Sequence, residues 1–144
     1  SGTENILGIL AFASAVKAHN KEKGGMVAEL YAYLKTQLEK IDGIKLNLPE
    51  VASPYILNVS LCGVRSEVAL NYLSSMGIYL SAGSACSAKH RDNRVLSAFG
   101  VDKSNVESSV RISLDADNTK EEIDVLIAQL RIIKEKYGKM IKRK

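Results

Sequence analysis

Two stretches of this chain alternate apolar and polar side chains residue by residue, and nothing else in it narrows the fold so far. In Leu57-Asn58-Val59-Ser60-Leu61 the three apolar residues share one face, leaving Asn58 and Ser60 on the other. In Val110-Arg111-Ile112-Ser113-Leu114 the same period puts Arg111 and Ser113 opposite a second apolar row. A period of two marks a strand with one face in a core. The partners for those faces are legible as helices. Val27, Leu30, Tyr31, Leu34, Leu38 and Ile41 recur at three and four residues and predict a helix over about 26–41. Thr119-Lys120-Glu121-Glu122 has the form of a capping box, worth about 1 kcal/mol, opening a helix that presents Ile123, Leu126, Ile127, Leu130, Ile133 and Tyr137.

Weaker signals fill the gaps. Ile6 to about Lys23 is apolar nearly all round at its start, which predicts a helix buried on several sides, with a break or kink at Gly24-Gly25. Lys45-Leu46-Asn47-Leu48 reads as a short strand closed by Pro49. Ser66 is placed to cap a helix that ends at Gly77, and Ile78-Tyr79-Leu80 reads as the end of a further strand. Arg94 to Phe99 forms a short helix stopped by Gly100. The expected order is α-α-β-β-α-β-α-β-α. That is an α/β chain in the sense of an α+β two-layer sandwich, a small mixed or antiparallel sheet covered by helices, in one domain over residues 1–144.

Composition excludes several function classes. The chain has 144 residues, of which 46% are hydrophobic and 25% charged, ordinary for a soluble globular domain. No apolar run approaches the ~20 residues of a membrane span, so no membrane partner is expected. A secretory signal is missing too. Cys62 and Cys86 make no disulfide framework, which points to reduced thiols and a cytoplasmic setting. No metal site is expected, because Cys-x-x-Cys and His-rich clusters are both lacking. Much of the net charge of +4 sits in Lys134, Lys136, Lys139, Lys142, Arg143 and Lys144, read as a solvated helix end. Without interleaved aromatics beyond Tyr137, the basic end argues against a nucleic-acid partner.

The chemistry concentrates in two places. Ser81-Ala82-Gly83-Ser84-Ala85-Cys86-Ser87-Ala88 surrounds a thiol with small residues, and Lys89-His90-Arg91 follows. A buried Cys behaves as a small hydrophobe, whereas an exposed one beside cations is a candidate thiolate nucleophile. Cys62, at the end of an apolar-faced strand, is read as a buried structural thiol. Arg111 projects from the non-core face of its strand. It serves either as an ion-pair partner or as a bidentate ligand for a carboxylate.

Four segments then bear a resemblance, in order along the chain. Ser1-Gly2-Thr3-Glu4-Asn5, Pro54-Tyr55-Ile56-Leu57-Asn58-Val59-Ser60, the Cys86 loop, and Val110-Arg111-Ile112-Ser113 with Asn118-Thr119-x-Glu121-Glu122-Ile123-Asp124 resemble the C-terminal small domain of the cysteine desulfurases. These are pyridoxal-phosphate enzymes of the class V aminotransferase family. The resemblance implies a homodimeric enzyme that turns L-cysteine into L-alanine and passes the sulfur to an acceptor protein, for example in iron–sulfur cluster assembly. It implies Cys86 as the nucleophile that carries the persulfide, Arg111 as the ligand of the substrate carboxylate, and Thr3 as a contact of the cofactor phosphate. Thr3 also reads as a helix N-cap. The family commonly has Gly where this chain has Asp115. The Schiff-base lysine has no counterpart here, so the chain alone is expected to be inactive and to belong to a longer enzyme. A selenocysteine lyase, another class V enzyme, or a stand-alone persulfide carrier or scaffold are the alternatives.

Overall fold

The two alternating stretches are neighbours in the structure. In a computed structural model that describes residues 2–18, 21–82 and 94–138, β2 (Ile56–Leu61) pairs antiparallel with β3 (Ser109–Ser113). Leu57 stands opposite Ile112, Val59 opposite Val110, and Asn58 opposite Arg111. A short β1 (Ile44–Leu46) pairs antiparallel with the other edge of β2, giving a three-stranded sheet in the order β1-β2-β3.

One face of that sheet is the core. Leu57, Val59, Leu61, Val110, Ile112 and Leu114 are buried on it. Over them lie α2 (Lys21–Glu39), α3 (Ser66–Ser75) and α6 (Lys120–Tyr137), which supply Val27, Leu34, Leu38, Leu73, Leu130 and Ile133. Burying a side chain of that size contributes roughly 1.5–3 kcal/mol, so this seam dominates the stability. At the start of α6 the Thr119 hydroxyl accepts from the Glu122 amide at 3.2 Å, while the Glu122 carboxylate accepts from the Thr119 amide at 3.1 Å.

The second face is polar and carries the short helices α4 (Arg94–Ala98) and α5 (Lys103–Glu107). Asp102 caps α5 by accepting from the Asn105 amide. That helix is not anticipated by periodicity, because five residues show too little of a repeat.

The structure corrects several expectations. Residues 78–80 are not a strand; Ser81 forms an isolated bridge to Arg111, so the order among the described residues is α-α-β-β-α-α-α-β-α. The helix α2 runs straight through Gly24-Gly25. Each helical glycine costs about 1 kcal/mol relative to Ala, which the burial of Val27, Leu30, Leu34 and Leu38 outweighs. Where burial on several sides is expected, α1 (Ile6–Ala18) buries nothing, and Leu7 and Phe12 are 82% and 73% exposed. Asn5, not Thr3, caps α1: its side-chain oxygen accepts from the Gly8 amide at 3.0 Å. Ser66 is the first residue of α3 and Arg65 its uncapped N-terminal neighbour. Lys134 is not simply solvated, since its ammonium donates to the Cys62 carbonyl.

Asp115 takes the place of the family's glycine without strain. The described residues contain no non-glycine residue at positive φ. Asp115 closes a local turn in which the Ala116 amide donates to its carboxylate at 2.6 Å.

Candidate functional site

The polar face of the sheet becomes a site where β2 and β3 put Asn58 and Arg111 side by side. Register partners in an antiparallel pair bring their Cβ atoms to about 4.5–5.5 Å, so both side chains rise together. They form the polar floor of a cavity of about 390 Å³. Val95 and Leu96 of α4 and Phe99 just after it wall one side, and Leu48, Pro49 and Ile56 another. The cavity is therefore mostly apolar, with a few convergent polar groups, as ligand sites are.

Arg111 is half-buried, and its Nε is buried without a hydrogen-bond partner. Arg111 forms no ion pair with another described residue. A guanidinium held in this way, in an apolar cavity and without a carboxylate, can take one from a ligand.

The floor continues into a hydrogen-bonded chain. Asn47 Nδ2 donates both to Asn58 Oδ1 and to Ser60 Oγ, each at 2.8 Å. Ser60, fully buried, donates to the Asn105 carbonyl at 2.7 Å. Asn105 in turn donates to Asp102 at 2.5 Å. Hydrogen bonds from Ser104 and the Asn105 amide hold the Asp102 carboxyl below its ordinary range. Asn47 Oδ1 is a second buried atom without a partner on this cavity.

Of the sequence-predicted residues, Arg111 lies in the cavity. Thr3 is exposed, before α1. Cys86 falls outside the described residues, as do Lys89, His90 and Arg91. Cys62 is half-buried rather than buried. Its thiol donates to Asn105 Oδ1 at 3.3 Å, on the face of Asn58 and Ser60 where the alternation of β2 puts residue 62. Sequence reasoning treats Asn58 only as a polar strand position and gives Asn47 no role. Asn58 shares the non-core parity of Arg111, but only the register shows that they are partners.

The family model for aminotransferase class-V matches residues 1–126. The chain belongs to the class-V aminotransferase family. This class-V chain is 34% identical, over 97% of its length, to a protein of Lactobacillus delbrueckii subsp. bulgaricus named NifS/IcsS protein homolog, covering 38% of that protein. It is 33% identical to the cysteine desulfurase IscS of Clostridium botulinum over 94% of this chain and 36% of that one. Among solved structures, a NifS-like protein of Rickettsia africae aligns at a TM-score of 0.77 and 28% identity, with 94% of this chain and 36% of that chain covered. The class-V chain thus spans little more than a third of the length of these relatives.

Pyridoxal phosphate is the cofactor of the class-V family. Among the described residues lining the Arg111 cavity there is no lysine, and Thr3 is exposed. The described residues of this chain do not make a site for that cofactor.

Proposed function

We propose that this chain is the small-domain portion of a longer cysteine desulfurase, in which Arg111 holds the carboxylate of L-cysteine and Cys86 receives its sulfur. The observation that carries the reading is the cavity itself, with an unpaired guanidinium at its floor and chain running to and from Cys86 at its edges. Ser81 is hydrogen-bonded to the backbone of Arg111, and five residues of chain reach at most about 18 Å. On the far side, Val95 and Leu96 wall the same cavity. Both ends of the segment containing Cys86 are therefore held beside Arg111. The relatives named cysteine desulfurase support the same assignment.

In this reading Arg111 binds and orients the substrate through paired N–H···O bonds, and the apolar walls exclude water around it. L-Cysteine leaves as L-alanine, and its sulfur atom stays on Cys86 as a persulfide for a protein acceptor. Pyridoxal phosphate is held by the rest of the longer protein, a homodimer working in the cytoplasm.

The test uses the full-length protein that contains this chain. Supplied with L-cysteine, it should release L-alanine, and mass spectrometry should find one extra sulfur atom on the Cys86 peptide. Cys86→Ser should abolish that product. No alanine, or sulfur on Cys62 instead, would overturn the proposal.

A further inference from the structure

The hydrogen-bonded chain under the cavity has a direction, and the direction ends at Asn58. The Asn105 backbone carbonyl can only accept, so the Ser60 hydroxyl must give it its one proton. Ser60 Oγ is then an acceptor towards Asn47, which requires the Asn47 amide to present its NH2 group there. The second hydrogen of that NH2 meets Asn58. The Asn58 atom facing Asn47 is therefore its carbonyl oxygen, which leaves the Asn58 NH2 as the group free to donate. The buried backbone carbonyl of Asn105 thus sets which way an amide at the cavity floor points.

We propose that Asn58 is a further substrate-binding residue, whose Nδ2 donates to the same ligand carboxylate that Arg111 takes, with Asn47 and Ser60 as positioning residues that hold its donor side outward. The inference rests on the reading of Arg111 as a carboxylate ligand and extends it to a second side chain. A carboxylate offers about four lone-pair sites, and the bidentate guanidinium fork uses two. An amide donor beside the fork supplies a third bond and rejects a ligand lacking the second oxygen. Asn58 stands directly across from Arg111 in the β2–β3 register, on the same sheet face and the same cavity. The outward NH2 of Asn58 suits an α-carboxylate.

The experiment uses the full-length protein in two measurements. In the first, KM and kcat for L-cysteine are compared between the wild type, Asn58→Ala and Ser60→Ala. Loss of one hydrogen bond to a charged group predicts a KM about tenfold higher for Asn58→Ala with kcat nearly unchanged. Ser60→Ala removes the acceptor that orients Asn47, and should give a smaller rise in KM. The second measurement needs no variant. Titrating 15N-labelled wild-type protein with L-alanine should shift the side-chain resonances of both Arg111 Nε and Asn58 Nδ2. A shift at Arg111 alone, or an unchanged KM for Asn58→Ala, overturns the role of Asn58 and leaves that of Arg111 standing. No shift at either residue overturns both.

Discussion

Ser81 and Arg111 exchange both of their backbone hydrogen bonds, Arg111 N to Ser81 O at 2.6 Å and Ser81 N to Arg111 O at 3.3 Å. This single bridge ties the start of the Cys86 segment to the residue that carries the candidate carboxylate site. The segment that leads to Cys86 is thereby anchored to the backbone of one residue of β3. In the full-length protein, Arg111→Lys keeps the charge and the aliphatic stem but loses the planar fork. The backbone bridge should survive, so the expected outcome is a kcat/KM for L-cysteine lower by tenfold or more with an unchanged unfolding midpoint. Unchanged kcat/KM would show that Arg111 binds no substrate carboxylate.

The two cysteines should react at different rates. Cys62 is half-buried and its thiol is engaged with Asn105. Cys86 sits in a sequence of Ser, Ala and Gly followed by Lys89-His90-Arg91, and nearby cations favour the thiolate. Brief iodoacetamide treatment of the native protein followed by peptide mass spectrometry should find Cys86 alkylated well before Cys62. Equal labelling, or Cys62 first, would remove the case for Cys86 as a nucleophile.

Gly43 should not tolerate a side chain. It turns the chain from α2 into β1 at φ 75°, and Lys134 Nζ lies 2.5 Å from where a Cβ would stand. The same ammonium donates to the Cys62 carbonyl, so displacing it loosens a second contact. Gly43→Ala is expected to cost about 1–2 kcal/mol from the left-handed backbone alone, before any displacement of Lys134. A urea melt measures it. Gly25→Ala, helical and with nothing near its added Cβ, should stabilise by up to about 1 kcal/mol and serves as the control.

Acid should weaken the fold through two caps. Hydrogen bonds from Ser104 and Asn105 lower the Asp102 carboxyl, and those from Asn118 and Thr119 lower that of Glu122. A carboxyl held lower in the folded state than in the unfolded chain stabilises wherever it is ionised in both. As pH falls, the unfolded chain takes up the proton first, so this stabilisation is lost below about pH 4.5. Denaturation midpoints should be flat from pH 7 to about 5 and then drop. Asp102→Asn with Glu122→Gln should be less stable at pH 7 and show a shallower drop. An equally steep drop in the double variant would place the acid-sensitive groups elsewhere.

What the sequence determined by itself is local in origin. The period-two rows of β2 and β3, the three-and-four spacing of Val27 to Ile41, and the Thr119–Glu122 box each follow from residues within one element. Every core residue read from them is buried save Tyr31 and Tyr137, which are half-buried. The rest depends on residues far apart in sequence. Whether 78–80 becomes a strand depends on an edge to pair with, and Ser81 alone finds β3. The exposure of α1 follows from the core closing over the sheet without it. Asn58 and Arg111 are far apart along the chain, so only the strand register makes them a pair. The direction of the Asn58 amide is set by the backbone carbonyl of Asn105, which only packing of α5 against β2 brings to Ser60. Hydrophobic period is written residue by residue, but register and hydrogen-bond direction exist only once the strands and helices have met.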